Sequence, residues 1–280
     1  MKIIRLASEM RDFSASMGAE GKKIALVPTM GALHEGHLSL IDEAKKRADI
    51  VVVSIFVNPT QFGPSEDFDA YPRQLEADAQ LCKERGADAV FAPDRNQIYA
   101  PDASTFVVEE ELGVHLCGKS RPSHFRGVTT VVCILFNIVR PQIAVFGEKD
   151  AQQVSVIRRM VRDLFMDVEI VAAPIVREAS GLAKSSRNKY LSNMQLDNAS
   201  QLHIALLAGK KLVEEGTLSV DRVKAEIVNQ LSKVSRIRVI YVEIVDTHTS
   251  LPVSEIVPGK SRAAIAVWID QTRLIDNIVL

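Results

Sequence analysis

Three continuous apolar runs set the frame of the chain. Ile24 to Val27, Ile50 to Val57 and Ile143 to Phe146 do not alternate with polar residues, as expected of parallel strands covered on both faces. Each ends in turn-forming residues: Pro28 and Gly31 after the first, Asn58-Pro59 after the second, Gly147 after the third. Shorter runs at Ala89 to Phe91 and Val168 to Ala172 read the same way. Between them the spacing becomes helical. An amphipathic helix is predicted from Ala7 to Met17, and a second starts at Gly36 with Leu38, Ile41 and Ala44 at three- and four-residue steps. A third runs from Gln74 to Arg85, with Leu75, Ala79 and Leu81 inward. Val128 to Arg140 is apolar enough to be buried, and a last helix of this half ends near Leu164. Strand–helix alternation predicts an α/β fold over residues 1–176, a Rossmann-like parallel sheet with helices on both faces. After it, helices at Gln195 to Glu215 and Val220 to Lys233 precede strands at Arg238 to Val245 and Ala263 to Ile269. That order predicts a smaller α+β C-terminal domain, 177–280.

Composition narrows the function. With 34 basic and 35 acidic residues among 280 and a net charge of −1, the chain lacks the basic surplus of a nucleic-acid binder, so a small ligand is expected. No apolar run reaches membrane-spanning length, and Met1-Lys2-Ile3-Ile4-Arg5 leads into mixed sequence without a secretory h-region. No membrane contact and a cytoplasmic location are expected. Cys82, Cys117 and Cys133 are widely spaced without a Cys-x-x-Cys pair, which fits reduced, packed thiols.

The candidate chemistry lies where strands end. His34 and His37 flank Gly36 at a strand–turn–helix junction, with His37 in the first helical turn. Free backbone N–H groups and the helix dipole attract anions there, and an imidazole among them can donate to a phosphate. A helical zinc site would need His-Glu-x-x-His, which this three-residue step lacks, so no metal held by protein ligands alone is expected. The turn Phe56 to Gly63 carries Gln61, an amide suited to a hydroxylated acid, and the polar stretch Pro64 to Arg73 reads as a mobile flap. Gly147-Glu148-Lys149-Asp150 repeats the first arrangement: the glycine permits close approach, Lys149 brings positive charge and Asp150 can cap the next helix. Lys184-Ser185-Ser186-Arg187 places two hydroxyls between two cations, a phosphate clamp. Gly113 to Ser120 has the written form of a P-loop, but Glu109-Glu110-Glu111 precede it and Pro122 follows, so strand and helix are both missing. His124 and Arg126 read equally well as surface residues.

In this order the motifs resemble the pantoate–β-alanine ligase family of the nucleotidylyltransferase superfamily. Pro28 to His37 resembles its His-x-Gly-His signature, Phe56 to Phe62 its pantoate loop, Gly147 to Asp150 with Gln152-Gln153 its lysine loop, and Ser185 to Asn188 its version of the Lys-Met-Ser-Lys-Ser loop. The resemblance implies condensation of pantoate with β-alanine using ATP and Mg²⁺, through a pantoyl adenylate, in a homodimer. It implies catalysis by His34, His37, Lys149, Ser185, Ser186 and Arg187. The nucleotide would also meet Met30, Gly31, Gly147, Glu148, Asp150, Val176 and Lys184, and pantoate would meet Pro28, Met30, Gln61 and Gln153. Ser180, Lys184 and Ala151 depart from the family pattern, where Asp, Met and Tyr are usual. A simple nucleotidylyltransferase would share the histidine turn, but not the amide pair Gln61 and Gln153. A class I aminoacyl-tRNA synthetase relative would need a basic RNA surface.

Overall fold

The computed structural model describes residues 1–64 and 66–280; Ser65, in the predicted flap, lies outside the described residues. The first part of the chain contains β1 (Lys2–Ile4), α1 (Ala7–Ala19), β2 (Ile24–Thr29), α2 (Glu35–Lys45), β3 (Ile50–Ile55), α3 (Leu75–Glu84) and β4 (Ala89–Phe91). It continues through two single-turn helices, α4 (Arg95–Ile98) and α5 (Cys117–Ser120), to α6 (His124–Val139), β5 (Ile143–Gly147), α7 (Ala151–Asp163) and β6 (Glu169–Ala173). The second part holds α8 (Asn193–Glu214), α9 (Val220–Ser232), β7 (Ile237–Asp246), β8 (Ser261–Ile269) and β9 (Thr272–Val279).

The six strands of the first part form one parallel sheet in the order β1-β4-β3-β2-β5-β6. From β2 the chain builds outward through β3 to β4, then crosses back to add β5 and β6 on the other side. The crossing makes a switch point between β2 and β5, where Ala25 pairs with Ile143, and a crevice opens beyond the strand ends there. The continuous apolar runs follow from two buried faces. Ile24 and Leu26 of β2 pack with Val132, Leu135 and Ile157 of α6 and α7, while Ala25 and Val27 pack with Leu38, Ile41 and Ala44 of α2. Each large side chain so buried contributes about 1.5–3 kcal/mol.

β7, β8 and β9 form a separate antiparallel sheet with β8 in the middle. Ile244, Ile265 and Val267 pack there with Leu202 and Leu206 of α8 and Ile227 of α9. Ser192 starts α8 in a reciprocal capping box with Gln195. Elsewhere on this sheet, Tyr241 and Ala264 pack against Leu116 of the first part.

Several expectations change. β1 and β9 were not predicted: β1 has three residues, only Ile4 of them buried, and β9 places Asp276 and Asn277 in its interior. On α3 the buried residues are Asp78, Ala79 and Cys82, with Leu75 and Leu81 only partly covered. Helix α6 starts at His124 rather than Val128.

Candidate active site

The turn after β2 is held from below by a buried carboxylate. Gly31 and Ala32 both have positive φ, 79° and 51°, which glycine tolerates and alanine does not adopt unaided. Asp78, 1 % exposed, accepts from Ala32 N and Leu33 N, each at 2.8 Å, and fixes that pair. The turn delivers His34 as the N-cap of α2, where its Nδ1 accepts from Gly36 N at 3.1 Å. The remaining proton of a neutral His34 therefore sits on Nε2. His37 follows within the first turn, its ring centroid 4.2 Å from that of His34.

Burial keeps both rings uncharged. Desolvation, with the charges of His37 and Lys149 adding to it, lowers His34 to about 3; desolvation lowers His37 to about 4, against a raising effect from Asp150. At neutral pH both histidines are therefore neutral donors. The unfolded chain takes up these protons near pH 6.5 and the folded protein does not. Stability from these groups is therefore intact above about pH 6.5 and falls as the pH drops toward 4. Proton NMR of the imidazoles is expected to show neither ring titrating above pH 5; a midpoint near 6.5 for either would refute the assignment.

Beyond β3, Asn58 shapes the neighbouring turn. Its Nδ2 donates to Gln61 Oε1 at 3.2 Å and to Gly127 O at 3.0 Å, and its Oδ1 accepts from Tyr99 OH at 2.8 Å. A Cβ on Gly127 would lie 2.5 Å from Thr60 O, so only glycine lets α6 approach this turn. Gln61 Nε2 reaches Met30 Sδ at 2.8 Å. His124, which the sequence left as readily at the surface, belongs to the cleft. Its Nδ1 lies 3.0 Å from Gln61 O and its Nε2 3.1 Å from Arg121 Nη1, and burial followed by the Arg121 charge lowers it to about 4. Arg126 is exposed, its guanidinium 3.6 Å from the ring centre of Phe106.

At the end of β5, Glu148 to Asp150 form a single 3₁₀ turn. Lys149 and Asp150 line the cleft. Asp150 makes no capping bond to α7, contrary to expectation. The loop Lys184 to Arg187 closes the opposite wall. Ser185 Oγ accepts from Arg187 N at 3.3 Å, and Ser186 Oγ lies 3.2 Å from Tyr71 OH. Arg187 pairs at two points with Asp67 of the predicted flap, at 2.9 and 3.1 Å. Lys184 pairs with Glu178 at 2.9 Å, while its backbone N–H donates to Val176 O, also at 2.9 Å.

Together these loops enclose a cavity of about 230 Å³. Pro28, Met30, His34, His37, Gln61, Gly147, Lys149, Asp150, Gln153, Val176, Lys184, Ser185, Ser186 and Arg187 all line it. Two residues from the sequence reading do not: Gly31 faces Asp78, and the carboxylate of Glu148 sits 3.8 Å from Arg262. A second, larger cavity of about 450 Å³ lies beneath the small sheet, and Arg121, His124, Lys149 and Gln153 are among the residues that line both. Asn58, Tyr71, Asp78 and Arg121 also build the site, and no local pattern marks them because each has a partner far away along the chain. The P-loop look-alike has no strand before it and one helical turn at its end. Gln152 fastens it instead, accepting from Cys117 N at 3.0 Å and donating to Leu112 O at 2.9 Å. Among the described residues no three His, Cys, Asp or Glu groups converge as a metal site.

A doubly wound sheet whose switch point gathers neutral imidazoles, an ammonium and a hydroxyl-rich loop defines an α/β enzyme built to hold phosphates. The sequence profile described as pantoate-beta-alanine ligase matches residues 2–279. The pantothenate synthetase of Thermotoga petrophila is 51% identical over 280 residues, spanning all of both chains. That of Geobacter sulfurreducens is 51% identical, over 100% of this chain and 99% of its own. The pantothenate synthetase structure from Thermus thermophilus superposes with a TM-score of 0.94 at 45% identity, covering 100% of this chain and 99% of that one. A Francisella tularensis pantoate-beta-alanine ligase, solved as a complex with beta-gamma ATP and beta-alanine, gives a TM-score of 0.81 at 33% identity, covering 100% and 97%. The chain belongs to the pantoate–β-alanine ligase family.

Proposed function

We propose that this enzyme joins (R)-pantoate to β-alanine through a pantoyl adenylate, releasing AMP and pyrophosphate. The observation that carries this reading is the single cavity that unites the histidine turn, Lys149 and the Ser185–Arg187 loop with Gln61 and Gln153. The Francisella relative's ATP and β-alanine support the same substrates here. Pantoate would sit between the Gln61 and Gln153 amides, with Pro28 and Met30 against its methyl groups. ATP would place its phosphates at His34, His37, Lys149, Ser185, Ser186 and Arg187.

The pantoate carboxylate attacks the α-phosphorus, and pyrophosphate leaves. Negative charge grows on the phosphoryl oxygens, where Nε2–H of His34 and the Lys149 ammonium stabilise it. The β-alanine amine then attacks the carbonyl of the mixed anhydride and AMP departs. Exclusion of water protects the anhydride, and no enzyme nucleophile is needed. The donor set fits Mg²⁺ held by one carboxylate, Asp150, together with the nucleotide's own phosphates. Such an ion supplies charge neutralisation on the phosphates. On this reading residues 177–280 form the domain that covers the cleft, and the enzyme works in the cytoplasm as a homodimer.

Pyrophosphate exchange tests the scheme. Labelled pyrophosphate is expected to enter ATP with pantoate present and β-alanine absent, and AMP to accumulate only when all three substrates are supplied. Exchange that requires β-alanine would rule out a separate adenylate. Absence of any turnover would point to a catalytically silent binding protein on the same fold.

A further inference from the structure

We propose that Asp276 and Asn277 of β9 are positioning residues that hold the two phosphate-binding loops in register. Both are buried, at 2 % and 5 % exposure, opposite the apolar Ile265 and Ala264 of β8. Polar groups at such strand positions are costly unless bonded, and here their partners are the loops of the cleft. Asn277 Nδ2 donates to Glu148 O at 3.0 Å and to Lys149 O at 3.1 Å. Its Oδ1 accepts from Arg262 Nη1 at 2.8 Å. A guanidinium can only donate, so the amide has one allowed orientation, with its NH₂ on the lysine loop.

Consecutive strand residues face opposite ways, so Asp276 reaches the other loop. Its carboxylate accepts from Arg177 at 2.7 and 2.9 Å. Arg177 also donates to Gly181 O at 3.0 Å, and its backbone bridges to Ala183, two residues before Ser185. Among the described residues nothing hydrogen-bonds the Lys149 ammonium, so the backbone that Asn277 grips is the fixed point from which that side chain reaches into the cleft. Misplacing a catalytic group by about 1 Å can cost up to roughly 100-fold in rate.

The inference rests on Lys149 acting at the transferring phosphate, and a double-mutant cycle separates the two claims. Asn277→Asp keeps the shape and the Arg262 contact but turns the donor into an acceptor facing two carbonyls. Pyrophosphate exchange is expected to slow about tenfold with the KM for ATP changed less than about threefold. In a Lys149→Ala background the same change should alter the rate less than about twofold. Hydrogen exchange should accelerate in 147–152 and stay constant in β7 and β8. Equal losses in both backgrounds, exchange that rises throughout, or an unchanged rate would overturn the inference. Near-normal turnover of Lys149→Ala would instead remove the assignment beneath it. If Asn277→Asp does not fold, Asn277→Ser is put through the same cycle. For Asp276, Asp276→Asn against Arg187→Ala is read by the same criterion.

Discussion

Alanine in place of Lys149 is expected to lower kcat about 100-fold or more, with the KM for ATP and for pantoate moving far less. The cleft holds several cations, but most are already matched. Arg187 is paired with Asp67, Lys184 with Glu178 and Arg121 with Glu66, while His34, His37 and His124 are neutral near pH 7. Lys149 has no salt-bridge partner among the described residues, so its charge is available to the phosphoryl oxygens as they become more negative. An interaction that strengthens only in the transition state shows in kcat, and 100-fold corresponds to about 2.7 kcal/mol. Steady-state kinetics with ATP binding by calorimetry decides the point. A variant that loses ATP affinity as steeply as rate would make Lys149 a ground-state contact.

The second large effect is expected at Asp78, which is buried behind the histidine turn and does not line the cavity. Asp78→Ala removes the acceptor for two buried amides, Ala32 N and Leu33 N, and for Gln74 Nε2 at 3.2 Å. A buried donor left unpaired costs about 1–3 kcal/mol, so two amides give about 2–6 kcal/mol. In a chain of this size that lowers the melting temperature by on the order of 10 °C. Turnover should fall with it, because the positive-φ pair at Gly31 and Ala32 sets the direction in which α2 presents His34 and His37. Asp78→Asn keeps one carbonyl acceptor and should fall between. A melting temperature for Asp78→Ala within about 2 °C of the parent would mean that the turn holds itself.

These residues also show what the sequence could and could not disclose. β2, β3 and β5 were legible because strands buried on both faces need unbroken apolar runs. That the histidine turn, the Gln61 turn, the Lys149 turn and the Lys184–Arg187 loop line one cavity could be anticipated because each packs its polar groups into a few consecutive residues after a strand or beside a helix. Asp78 was hidden because an acid within an amphipathic helix looks like a solvated one; its partners lie 45 and 46 positions away. His124 took its place through Gln61 O, 63 positions away, which no local pattern announces. β9 escaped for a related reason: Asp276 and Asn277 interrupt its apolar character, and the groups that justify them belong to other loops.

The grip of β9 on the lysine loop has a consequence for synthesis. Lys149 and Asn277 are separated by 128 positions, which a ribosome adding about 5–20 residues per second traverses in roughly 6–26 s. During that interval the parallel sheet can be complete on the nascent chain while the loop that carries Lys149 still lacks its anchor. A polypeptide halted before β9 emerges therefore holds every strand of the parallel sheet while Glu148 O and Lys149 O still lack the Asn277 amide, so on the positioning role proposed for Asn277 activity is expected to arrive with the last strand rather than to grow in step with length.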